Sequence, residues 1–142
     1  MIPHDLHNRL TYLRGVSPIT GTDDTAFVSQ IIDMANLMAL EFVVALGTLA
    51  DAAFTTTFLL EEGEDSGLSD AAAVADADML PSGTGQEAAA AFIQSDDDAI
   101  RKIGYVGTKR YVRLTITPAS NTGSLPIAVI AVGVPRVQGT AN

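Results

Sequence analysis

The chain has 142 residues, 17 acidic and 8 basic side chains, a net charge of −9 and no cysteine. That length allows one domain with a real core. The charge argues against sequence-independent nucleic-acid binding and against docking on anionic lipid, and the missing cysteine excludes disulfides and thiolate chemistry.

In chain order, Met1 to Asp24 is polar, carries Pro3, Pro18 and Gly21, and shows no sustained period; it reads as an extended arm (residues 1–24). It has no apolar h-region and does not read as a signal peptide. Phe27 to Ile32 is a short strand candidate. Met38, Leu40, Phe42, Val44 and Leu46 alternate with smaller or polar residues, and Phe54, Thr56, Phe58 and Leu60 do the same after a turn over Thr48–Ala53. Period two predicts half-buried strands, and the two runs read as antiparallel neighbours. Glu61 to Glu87 breaks the pattern and reads as one long acidic, Ala-rich loop, or as a helical turn or two capped by Ser69 or Asp70. Ala88–Ser95 returns as a strand, and Asp96-Asp97-Asp98 marks a solvated turn.

Ile100–Val106 and Lys109–Thr117 flank Gly107-Thr108, which reads as a hairpin turn. The second run puts Val112, Leu114 and Ile116 on one face and Tyr111, Arg113, Thr115 and Thr117 on the other. Pro126–Val134 is apolar on both faces, so it belongs in a sheet covered on both sides. Residues 137–142 form a polar tail. The sum predicts an all-β fold, a single-domain β-sandwich or jelly roll over residues 25–136.

Charge is segregated along the chain. From Gly15 to Ile100 there are 16 acidic residues and no Lys or Arg; from Arg101 onward there are six basic residues and no acid. A folded form must lay the basic segment across acidic parts of its own chain or of a neighbour. The expected targets are the carboxylates between Glu61 and Asp98.

No constellation for catalysis, metal or cofactor binding stands out. His4, Asp5 and His7 are too few for a zinc site. Asp76 and Asp78 fail the EF-hand pattern, because Leu80 and Pro81 fill the fifth and sixth loop positions, and the Asp96–Asp98 run reads as a solvated turn. Gly83-Thr84-Gly85 and Gly107-Thr108-Lys109-Arg110 do not fit a phosphate loop. No serine sits in a G-x-S-x-G turn, and neither histidine lies in the predicted core to act as its base. The reading is therefore not an enzyme.

Several blocks nevertheless form a pattern: Asp5-Leu6-His7-Asn8, Thr22-Asp23-Asp24-Thr25-Ala26, Val28–Asp33, Leu40–Val43 and, above all, Arg101–Leu114 (RKIGYVGTKRYVRL). With these blocks the chain resembles a family of small proteins encoded in the head-gene region of tailed bacteriophages, over nearly its whole length. It departs from that family's C-terminal V-x-L-G-H-P pattern at Val132-Gly133-Val134-Pro135, where the His is missing. The resemblance implies a virion structural protein, made in the host bacterial cytoplasm and carried on the capsid surface. It implies a decoration, or cement, protein that binds the major capsid protein from outside and bridges capsomers, as a homo-oligomer and most simply a homotrimer. No nucleic acid, membrane, metal or cofactor is implied. The expected contact residues are Leu6, Leu10 and Tyr12 in the arm and Arg101, Arg110 and Arg113 in the basic segment. A head–tail connector or tail-associated protein is the alternative, and a carbohydrate-binding β-sandwich a weaker one.

Overall fold

Alternation gives each long strand one face to bury, and two such sheets packed face to face complete a core. A computed structural model of the protein describes residues 5–81 and 85–136. In chain order its elements are β1 (Thr11–Gly21), β2 (Phe27–Val28), β3 (Ile32–Asp33), β4 (Leu37–Leu46), β5 (Thr55–Gly63), β6 (Ala72–Ala73), β7 (Met79–Leu80), a short helix α1 (Gln86–Ala90), β8 (Ile100–Tyr105), β9 (Tyr111–Ala119) and β10 (Leu125–Pro135). The first sheet has the order β1-β10-β4-β8-β7 and the second β2-β9-β5-β6, with β3 also on β9. All pairings are antiparallel. This is an all-β sandwich of two five-stranded sheets, and the orders β1-β10-β4-β8 and β2-β9-β5-β6 within them are interleaved as in a jelly roll.

The core lies between the sheets. Leu40, Phe42 and Val44 of β4, Ile103 and Tyr105 of β8, and Ile127 and Val129 of β10 face Phe58 and Leu60 of β5 and Val112, Leu114 and Ile116 of β9. Phe92 closes one side with its ring edge-on to Phe54 and Phe58, at centroid distances of 6.1 and 6.0 Å.

Four expectations need correction. The runs read as a β4–β5 hairpin and a β8–β9 hairpin belong to opposite sheets. Residues 47–54 and 106–110 cross the sandwich, so that the apolar faces of consecutive strands meet across the core instead of lying side by side with one cover between them. The segment read as an extended arm is neither extended nor free where it is described: the N–H groups of Arg9 and Leu10 turn back onto the Leu6 carbonyl, and Thr11–Gly21 is an edge strand on β10, in register from Thr11 opposite Gly133 to Gly21 opposite Leu125. Its register slips between Arg14 and Val16 and again between Val16 and Ile19. Those slips, with Pro18, hide the period in the sequence.

The stretch Ala88–Ser95 is not a strand. It holds the end of α1 and a 3-10 turn at Gln94–Asp96, and only Ile93 touches the ladder, through a bridge to Thr55. The fourth correction is to β10, whose outer face has no cover among the described residues; Ile130 on it is 48% exposed. Residues 1–4, part of the Gly83–Gly85 turn and the tail at 137–142 lie outside the described residues.

The long acidic segment covers the open edge of β5. After a tight loop held by Asp65 and Asp70, Ala72 and Ala73 pair with β5, and the Val74 N–H bonds the Leu60 carbonyl. Opposite them Glu87 of α1 accepts the Leu60 N–H at 2.6 Å. Thr56 Oγ1 donates to the Phe92 carbonyl at 2.8 Å and accepts its N–H at 2.9 Å. An exposed ladder edge is a template for unwanted pairing, and here the segment satisfies it.

Candidate interaction site

The block that carries the family resemblance builds the connection between the two sheets. Arg101 pairs with Asp96 at 2.5 Å, Lys102 with Glu41 at 3.8 Å, Lys109 with Glu64 at 3.4 Å, Arg110 with Asp33 at 3.1 Å and Arg113 with Glu61 at 2.8 Å. Arg113 and Glu61 are directly opposite on β9 and β5, and Lys102 lies diagonally from Glu41 across β8 and β4. Arg110 makes two parallel bonds to Asp33, a fork that suits guanidinium and carboxylate. Its guanidinium also lies 5.1 Å from the centre of the Tyr111 ring.

The basic segment is therefore laid across acidic parts of its own chain. Glu61, Glu64 and Asp96 fall within the expected stretch; Asp33 and Glu41 lie outside it. Exposed pairs of this kind contribute about 0.2–1 kcal/mol each.

The uncharged residues of the block are as specific. Gly104 lies under β7, where an added Cβ would come within 2.9 Å of the Leu80 Cβ. Tyr105 is wholly buried between the sheets. Its hydroxyl donates to Glu62 of β5 at 2.6 Å and accepts the backbone N–H of Lys109 at 3.0 Å. Burial, with the Glu62 carboxylate beside it, pushes the phenol well above its ordinary range. Gly107 runs over the ring so closely that a Cβ there would be 2.6 Å from it. One side chain thus ties β8, β5 and the crossing loop together.

Most of the acids hold loops. Asp51 accepts the N–H groups of Ala53 and Thr122 and the Thr122 hydroxyl. Asp24 accepts the Asn121 N–H, and the Asn121 side-chain amide donates to the Asp23 carbonyl. Asp97 accepts the Leu49 N–H at 2.7 Å. These bonds join the loops at the Leu46 end of the sandwich. Donors aimed at a carboxylate favour its charged form. The backbone N–H groups on Asp51, Asp65, Asp70 and Asp96, and the Arg110 guanidinium on Asp33, hold those carboxyls below the usual range. Among the described residues no three metal-binding side chains converge, and no helix is long and apolar enough to cross a membrane.

Of the expected contact residues, Arg101, Arg110 and Arg113 are thus engaged inside the subunit. Leu6 is 63% exposed. Leu10 and Tyr12 come to the outer face of the first sheet: Tyr12 lies beside Val132, and Leu10 lines a shallow groove of about 280 Å³ with Leu80, Val132 and Val134.

The two outer faces differ in kind. The second sheet presents Thr55, Thr57, Thr115, Thr117 and the Arg113–Glu61 pair, with Val28 and Leu59 in one row between them. The first presents Ala128, Ile130, Val132 and Val134 of β10 beside Ala39, Val43 and Ala45 of β4. Sequence reading missed this contrast, the Tyr105–Glu62 tie and the Glu87 cap, since all depend on which strands end up opposite each other. No protein-family model matches the chain, and no curated protein matches it.

Proposed function

We propose that the protein is a structural component of a tailed-bacteriophage virion, a decoration protein that binds the outside of the major capsid shell and holds capsomers together. The observation that carries this reading is the Arg101–Leu114 block. Its Tyr105, with Gly107 packed on the ring, ties one sheet to the other, and its Gly104 and charged residues hold neighbouring strands and loops, so a family sharing the block would share these ties. Around that lock, the reactive and charged side chains are engaged in holding the molecule together, and the surface is a polar, Thr-rich face on one side and an apolar face on the other. Such a molecule suits adhesion and mechanical support. Jelly rolls also serve as lectins and enzymes, so the fold alone decides nothing.

The mechanism is linkage. A protein that binds only the assembled, expanded shell stabilises that state by its binding free energy, at each capsomer boundary it spans. The acidic outer surface keeps the protein off packaged DNA. In the lectin alternative, exposed aromatic rings would form the binding face. Tyr105 is buried and Tyr111 lies half-buried against Arg110, which leaves Tyr12.

Cosedimentation of the purified protein with expanded and unexpanded shells tests the reading. Saturable binding to expanded shells alone is the expected result; binding to neither, with binding to isolated portal or tail parts, would favour the connector alternative.

A further inference from the structure

β10 has apolar side chains on both faces, and the described residues cover only one. Direct pairing fixes what lies around the open face. One row across the sheet reads Arg14, Ile130, Val43, Lys102, and the next Tyr12, Val132, Glu41, Gly104, Leu80. A third reads Ala128, Ala45, Ile100. The centre is aliphatic, with one acid and one base at its side, and Tyr12 and Arg14 along the β1 edge.

The edges of this sheet are poor docking sites. β1 is broken by two register slips and Pro18, and its Gly15 carbonyl is already bonded to the Gln30 N–H. β7 is two residues long and runs into Pro81. Such features blunt edge-to-edge pairing. What remains available is the face.

We propose that a second copy of this chain covers it, with the two first sheets stacked about a two-fold axis running along β10. Two features of the face favour a copy of itself. The first is area. About such an axis three strands, β1, β10 and β4, lie over their counterparts; about 4.8 Å apart and nine residues long at about 3.3 Å each, they give a face of about 14 by 30 Å, so that pairing buries on the order of 860 Å² in all. That is near the threshold of about 1,000 Å² for a specific interface.

The second is charge complementarity. Among the described residues Arg14 has no acidic partner, and Glu41 is held only by the long 3.8 Å contact with Lys102. A two-fold along β10 places Ile130 and Val132 against their own copies and lays β1 of each molecule over β4 of the other, row on row. Tyr12 and Arg14 of one copy then reach Glu41 of its mate, twice by symmetry. Lys102, two strands from the axis, stays at the rim. The pairing needs only this chain, so it stands or falls apart from the virion reading. It replaces the homotrimer expected on resemblance with a dimer.

Sedimentation velocity on the purified protein tests it. At about 10 µM the protein is expected to sediment as a dimer, and Ile130→Asp to raise the dissociation constant about 30-fold or more, as for a central interface residue. Leu59→Asp, on the outer face of the second sheet, should leave the dimer intact. Arg14→Glu should weaken it, and Arg14→Glu with Glu41→Arg should restore it. In this cysteine-free chain Ile130→Cys should give a covalent dimer with a short bifunctional maleimide, which can span the gap between stacked sheets, and Leu59→Cys should not. A monomer at about 100 µM, a trimer, or a dimer untouched by both Ile130→Asp and Arg14→Glu would overturn the proposal. A wild-type monomer that binds shells and loses that binding in Ile130→Asp would also overturn it, and would assign the face to the capsid protein.

Discussion

Replacing Tyr105 by Phe removes one oxygen from the point where the two sheets are joined. The ring is wholly buried and keeps its packing in the variant. Two bonds are lost: the hydroxyl's donation to Glu62 at 2.6 Å and its acceptance of the Lys109 N–H at 3.0 Å. A hydrogen bond to a charged acceptor contributes about 1.5–3 kcal/mol, and a donor left without a partner costs about 1–3 kcal/mol. Glu62 is only half-buried, so water recovers part of the first loss. The net expectation is about 2 kcal/mol of destabilisation, with a melting temperature lower by roughly 4–8 °C for a domain of this size. Urea unfolding followed by circular dichroism measures it as a lower midpoint at unchanged slope. A double-mutant cycle with Glu62→Gln isolates the pair. A loss below about 0.5 kcal/mol, within the range of ordinary surface substitutions, would refute the idea that this hydroxyl ties the sheets together.

Gly107→Ala should cost about 2 kcal/mol or more in the same assay, because its methyl group would lie 2.6 Å from the Tyr105 ring. In Gly107→Ala with Tyr105→Leu the clash is gone, and the two losses should fail to add. Thr56→Val is near in volume but leaves the Phe92 N–H and carbonyl without their bonds, and should cost about 2–3 kcal/mol in urea unfolding. Stability should fall in acid. The carboxyls of Asp33, Asp51, Asp65, Asp70 and Asp96 titrate in the folded state below their unfolded value of 3.8. Their contribution is complete above that value and is lost as pH falls through the lower folded values. Melting temperatures recorded against pH should therefore drop below about pH 4; a curve flat to about pH 2 would contradict this account of the loop carboxylates.

The sequence carried more about faces than about neighbours. The alternation of Val112, Leu114 and Ile116 with Tyr111, Arg113 and Thr115 reports which side of β9 is buried, and the structure agrees. The same alternation says nothing of the strand alongside, which is why consecutive strands read as hairpins turned out to face each other across the core. The Ala-rich part of Glu61–Glu87 read as a loop or as a helical turn or two, yet Ala72 and Ala73 form a strand, because the open edge of β5 offers their backbone a ladder. The opposed charges of the two chain segments were legible and are met within the subunit, but the exact partners, Asp33 and Glu41 among them, depend on the jelly-roll interleaving.

Apolar residues on both faces of β10 were legible too. They predicted two covers, and the described residues supply only one. The candidate contact residues divide along the same line. Leu10 and Tyr12 belong to the open face, whereas Arg101, Arg110 and Arg113 serve the fold.

The most direct test of the proposed role is the copy number of this protein relative to the major capsid protein in purified phage particles produced by cells that carry its gene, by quantitative mass spectrometry. The decoration reading predicts an abundance comparable to that of the capsid subunit. A handful of copies per particle would move the protein to a vertex or the tail, and its absence from the particle would contradict the virion assignment itself.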